Sequence, residues 1–208
     1  MAKATQTQAV SIPAMNIRSM EIVLVGDAPL VVHAWSDKAK KMMLDKQMKK
    51  ATGGKEAKDP EQCFIDSLYW VGKKPKKATM ADVKKGAFGF PTIAFKSAAV
   101  DACRNVDGMT MTMARGAFHI SGRTTRIDGK PRPREDMVRV GMGTADIRYR
   151  GEFDPWRVTL SIRYNAGVLS IEQIVNLFNV AGFAIGVGEG RPQKNGSWGM
   201  FHVATDKE

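Results

Sequence analysis

GVGEGRPQKNGSWG, residues 186–199, holds five of the chain's twenty glycines within fourteen positions. It lies between a helix pattern and a strand pattern, and that order decides the fold. Upstream, SIEQIVNLFNVAG carries Ile171, Ile174, Val175, Leu177 and Phe178 at helical spacing. Ser170 with Gln173 three residues on makes a capping box, and Gly182 is the expected close of a helix over 171–181. Downstream, WGMFHVA reads as a last strand from about Trp198. Dinucleotide-binding glycine loops leave a strand and open a helix, so the reversed order here argues against a nucleotide fold. Glycines that expose backbone amides, with Arg191 and Lys194 among them, suit a phosphate chain instead.

Working outward, WRVTLSIRY gives the cleanest strand, with Trp156, Val158, Leu160, Ile162 and Tyr164 on one side. Arg157, Thr159, Ser161 and Arg163 alternate with them, so one face is core and the other polar and basic. Residues 20–35 read as a strand, a turn at Gly26 and Asp27, and a second extended piece. FPTIAFKSAAVDACR predicts a helix over 92–104, opened by Pro91, with Ile93, Ala94, Ala98 and Val100 available to pack. Lys96 near its start opposes the helix dipole, a placement better explained by something negative nearby. MTMTMARGAFHI, 109–120, alternates at period two and predicts a strand. SGRTTRIDGKPRPRED, 121–136, predicts a loop bearing Arg123, Arg126, Lys130, Arg132 and Arg134, of which the four arginines are the candidates for phosphate contact and base stacking.

The region 36–85 is basic. Twelve lysines fall between Lys38 and Lys77, and six face one acid between Lys73 and Lys85. Residues 34–50 predict a helix with an adaptable Met42, Met43, Met48 stripe, and 51–60 a loop. In total, 32 Lys and Arg against 21 Asp and Glu give +11, which favours a polyanionic partner. Only Cys63 and Cys103 are present, so neither a disulfide scaffold nor a zinc site is expected, and no cofactor is implied. No run nears the ~18 apolar residues of a membrane helix, and a cytoplasmic setting with a flexible stretch over 1–19 is expected.

Histidines at 33, 119 and 202 offer general bases, with His33 and Asp37 the catalytic candidates. Glu189 reads as a partner for an arginine or for loop amides. Trp198 and Tyr69 suit either base stacking or core.

Two of these segments carry a family resemblance. FPTIAFKSAAVDA, 90–102, and AGFAIGVGEGRPQKNGSWGMFHV, 181–203, resemble the proline-led helix and the glycine-rich loop with its last strand in the RAMP superfamily of RNA-binding proteins. The resemblance implies an α+β, ferredoxin-like (RRM-like) βαββαβ core over 20–208, with a basic insertion at about 36–85 after the first strand and the glycine-rich loop before the last. By resemblance Lys96 would contact the nucleic-acid backbone, Gly186, Gly188 and Gly190 would let it pass close, and Arg191 and Lys194 would neutralise phosphates. It further implies a non-catalytic protein that binds single-stranded RNA, or DNA, and assembles with copies of itself along the strand. It would also join other subunits of a ribonucleoprotein complex, as CRISPR effector backbone subunits do. At 208 residues the chain is short for such a subunit, which fits a compact stand-alone member of the kind phage genomes encode. The alternatives are a phage single-stranded DNA-binding or annealing protein, and a RAMP-type endoribonuclease.

Overall fold

The computed structural model describes residues 12–50, 57–141 and 143–205. Most of the expected loop at 51–60 and of the expected flexible amino-terminus lies outside them. The protein is α+β, with two antiparallel sheets.

The first strand, β1 (Ile17–Gly26), turns Ile22 and Leu24 inward and is followed by the short β2 (Leu30–Val32). The basic region supplies three helices. In α1 (Asp37–Gln47), Ser36 caps the amino end, its Oγ accepting from Ala39 N at 3.0 Å, and no residue is buried. In α2 (Pro60–Ser67), Asp59 caps and Phe64 and Ile65 go into the core. A single turn and a half, α3 (Met80–Lys85), is opened by a Thr79–Asp82 capping box.

The strand β3 (Gly89–Pro91) leads into α4 (Thr92–Ala102), which continues as a 3₁₀ turn to Asn105. The helix expected at 92–104 is therefore present, with Phe95, Ala98, Ala99 and Val100 buried. Ile93, expected to pack, is 65% exposed. The period-two segment after it is not a strand for most of its length. It forms α5 (Met111–Ala117), and only Phe118–Ile120, β4, is extended. The reason is local: Thr110 Oγ1 accepts from Met113 N at 3.1 Å, and this cap sets the turn that the Met/Thr alternation conceals.

The arginine-rich segment is not a loop either. It holds β5 (Thr124–Asp128) and β6 (Pro131–Val140), and β6 pairs along its whole length with β7 (Thr144–Phe153). Then β8 (Arg157–Asn165) buries Val158, Leu160, Ile162 and Tyr164 as its alternation predicts. The capping box at Ser170 opens α6 (Ile171–Val180), with both reciprocal hydrogen bonds present. Gly182 does not close it. The chain runs on as a π turn, Ala181–Ile185, that ends at Gly186. A Cβ on Gly182 would stand 1.7 Å from the Phe201 carbonyl oxygen, so glycine there serves the contact with the last strand rather than a cap. That strand, β9 (Phe201–Val203), begins three residues later than expected.

The larger sheet runs β3-β5-β8-β1-β9, with β4 also on β8. The helices α4 and α6 touch each other and lie on one face, where Phe95 meets Phe201 (5.9 Å between centroids) and Phe118 meets Phe178 (5.9 Å). Leu24, Phe95, Phe178 and Ile162 are fully buried there. The smaller sheet, β2-β7-β6, carries α2 against β7. No helix among the described residues is long and apolar enough to cross a membrane.

Candidate nucleic-acid interface

The glycine loop is folded tightly onto its own chain. Gly188 (φ +79°) and Gly190 (φ +58°) take left-handed backbone angles that disfavour any side chain. A Cβ would stand 2.5 Å from the Val31 carbonyl oxygen in one case and 2.2 Å from the Trp198 ring in the other. At Gly186 it would meet the Pro192 ring at 2.7 Å. The close approach these glycines permit is thus used first by the protein itself. The loop docks on β2, with Glu189 N donating to Val31 O at 2.9 Å.

Arg191 belongs to the same lock. Its Nη1 donates to Gly188 O at 3.0 Å and its Nε to Gln193 Oε1 at 3.1 Å. Lys194, in a short 3₁₀ turn (Pro192–Lys194), is exposed and joins no ion pair among the described residues. Together with Trp198 and the β6–β7 hairpin, these residues line a cleft of about 490 Å³.

The hairpin supplies the cleft's other wall, and its arginines are largely neutralised. Arg132 pairs with Glu152 at 3.0 Å and Asp154 at 3.4 Å. Arg134 is held by Asp136 at 2.8 Å and by Glu152, and its guanidinium lies 3.8 Å over the Trp198 ring. Burial opposes the Arg134 charge, and hydrogen bonds to Glu152 and Asp136 outweigh it. Beside Arg134 in register stands Arg150, which is 9% exposed. It reaches Asp136 at 3.3 Å and Glu189 at 3.4 Å, and its buried Nε has no hydrogen-bond partner among the described residues. Glu189 is therefore an arginine partner, as its setting in the sequence predicts.

The other candidates gather elsewhere. Lys96 lies one turn into α4, and its Nζ meets Arg115 O at 3.1 Å and His119 Nδ1 at 3.0 Å. The partners of this cation are a carbonyl and an imidazole rather than an anion, and burial lowers its pKa. Arg123 and Arg126 are exposed on the turn before β5 and on β5, with no ion-pair partner among the described residues. The sequence candidates thus divide: Arg132, Arg134 and the glycine loop share the cleft, whereas Lys96 stands on α4 against Arg115 and His119, and Arg123 and Arg126 lie at β5.

The catalytic candidates are placed differently again. His33 is half-buried. Burial and the charge of Arg150, opposed by Glu189, hold its imidazole below the ordinary 6.5, so it is neutral at pH 7. Asp37 is in the first turn of α1, its side chain 90% exposed and paired with Lys40 at 3.2 Å. His202 Nδ1 lies 2.6 Å from Asp27 Oδ1. Tyr69 packs edge-on against Phe90, and burial and Glu189 raise its pKa.

Sequence reasoning missed Arg150 and the stacking of Arg134 on Trp198. The signal was there in DIRYRGE, 146–152, where Asp146, Arg148, Arg150 and Glu152 recur every second residue, a charged strand face that needs a partner.

No family model and no curated protein matches the chain. Solved structures that resemble it include Cmr6 from Pyrococcus furiosus. That structure is 8% identical, with a TM-score of 0.43, and the match covers 92% of this chain and 100% of that one. A likeness of that degree carries neither fold nor role across.

Proposed function

We propose that this protein binds single-stranded nucleic acid, RNA in first place, without cleaving it, and assembles side by side along the strand. The core supports a ferredoxin-like reading of the RAMP kind. From one edge the sheet runs β9, β1, β8 and then β4 or β5, with the crossover helices α4 and α6 on one face, the order expected of a βαββαβ unit.

The observation that carries the reading is the cleft between the glycine loop and the hairpin. It is an open site lined by the exposed Lys194, by Arg191, Arg150 and Trp198, and by the carboxylates Asp136 and Glu189. Cations on the loop neutralise phosphates, while the exposed Met137 gives bases an apolar surface. Copies bound side by side would extend the groove from one subunit to the next.

Fluorescence anisotropy of a labelled single-stranded oligonucleotide tests this. Lys194→Glu is expected to weaken binding roughly tenfold at low salt, since it reverses one phosphate-facing charge. Equal affinity for the variant and the native protein would remove the cleft from the account. Incubation with labelled RNA, with and without a divalent metal, is expected to leave it intact; product that disappears in His33→Ala or Asp37→Ala would establish the endoribonuclease instead.

A further inference from the structure

We propose that copies of this protein join by arm exchange: the segment that leads into β1 of one copy, residues 12–15, adds as an extended strand to the unpaired edge of β1 in the next. This rests on the side-by-side assembly proposed above, and it names the surface and the occupant that make the contact.

The surface is a strand edge that β9 is too short to cover. On one side β1 pairs with β8 from Ile17 to Val25, whereas on the other β9 meets only Leu24, Val25 and Gly26. Two bonds fix which residues face that second side. Gly26 N donates to Trp156 O, so the even-numbered residues of β1 turn their backbone polar groups to β8; Ala204 N donates to Val23 O, so the odd-numbered ones turn outward. The N–H and C=O groups of Ile17, Ser19 and Glu21 therefore face outward, and no strand among the described residues meets them. Such an edge is a template for another chain. The outer edge of β6 carries Pro131 and Pro133, which cannot donate to an added strand, but residues 17–22 include no proline.

The helix α6 shapes the space beside this edge. It returns from the end of β8, where Asn165 is opposite Ile17, to the start of β9, where Phe201 is opposite Gly26, and so runs alongside β1. Asn179 Oδ1 accepts from Val203 N at 2.8 Å, which aligns the 171, 175, 179 stripe of α6 with the line of β9 and hence with the strand position outside β1. Ile171 on that stripe is exposed, and Val175 and Met20 are half-buried. A second copy's sheet edge would bring its own α6 into the same space. Only a lone extended chain fits.

The molecule carries one. Residues 12–16 are exposed throughout, with the large apolar side chains of Ile12 at 87% and Met15 at 67% exposure. Four extended residues span about 13 Å, enough to lie along Ile17, Ser19 and Glu21. Pro13 has no N–H, so it turns outward and Ile12 and Ala14 make the ladder bonds. Folding back onto its own edge would use Met15 and Asn16 as the turn, but Asn16 is tied in line with β1, its O accepting from Ala166 N at 2.7 Å. A neighbour's edge takes the arm without a reversal.

The test is cooperative binding to a long single-stranded oligonucleotide, read by anisotropy on the full chain, because two copies of net charge +11 repel each other in free solution. Native protein is expected to bind its second copy about tenfold more tightly than its first, the equivalent of one or two net hydrogen bonds. Ser19→Pro removes an outward N–H and leaves the bonds to β8 in place, so it should abolish the cooperativity and keep the affinity of the first copy. An Ile12→Ser, Met15→Ser double variant changes exposed positions alone and should do the same; if Ser19→Pro loses its fold, the double variant decides. Mixed together, the two variants should regain a cooperative pair, since one keeps its arm and the other its edge. If the native chain fills the oligonucleotide without cooperativity, or the double variant stays as cooperative as the native chain, arm exchange is wrong and binding along the strand stands. If native protein places a single copy on each strand, both fall together.

Discussion

Single glycines in this chain differ sharply in what they hold. Gly199 has φ +65°, and a Cβ there would stand 1.8 Å from the Val187 carbonyl oxygen. Gly199→Ala is expected to cost on the order of 3 kcal/mol, from backbone strain and overlap together. Gly116 lies in α5 with nothing within 4 Å of its Cβ position. Gly116→Ala should stabilise by about 0.5–1 kcal/mol, because alanine has less freedom to lose in a helix. Urea denaturation of the two variants checks both signs. His33 makes a third test at this scale. Its folded pKa lies below 6.5, so the unfolded chain takes up the proton first as pH falls. Its contribution is complete well above pH 6.5 and is lost as pH drops from there to the lowered folded value. The melting temperature should fall across that window, and less steeply in His33→Gln.

At the scale of elements, the β6–β7 hairpin and the glycine loop are one electrostatic unit, joined by Asp136, Arg150 and Glu189. Arg150→Ala leaves two carboxylates without their shared cation. It should cost about 2–3 kcal/mol, below a fully buried pair because Glu189 keeps water. An unchanged urea midpoint would show that the loop is held by its backbone contacts alone. The same region marks what could be read from the chain and what could not. In β8 every second residue is apolar, and in α6 a capping box precedes an apolar stripe, so sequence and structure agree on both. The hairpin was hidden because its alternation is of charge with charge: Arg132, Arg134 and Asp136 are satisfied by Glu152, Arg150 and their neighbours across the ladder, and a one-dimensional reading sees only cations. The helix α5 was hidden because methionine and threonine happened to alternate where a single Thr110 cap sets the turn. Of the site, the glycine loop and its cations were legible as a place. That the glycines close on Val31 and Trp198, and that Arg132 and Arg134 join the loop while Lys96, Arg123 and Arg126 lie apart from it, depends on contacts far apart in the chain.

For the whole molecule, the net charge of +11 is spread unevenly between neutralised and free cations. The hairpin arginines are spent internally, whereas Arg126, Arg163 and Lys194 have no ion-pair partner among the described residues. Side-by-side assembly predicts that light scattering on a long oligonucleotide finds several copies per strand; a single copy at saturating protein would remove assembly from the account. The most direct measurement of the central claim is affinity for a single-stranded oligonucleotide across a salt series, for the native chain and an Arg126→Ala, Lys194→Ala double variant. The expected result is a log-linear fall of affinity with salt in the native chain and a slope reduced by about 1.4 in the variant, about 0.7 for each lost phosphate contact on a single strand. Identical slopes, or no binding by the native chain at low salt, would contradict it.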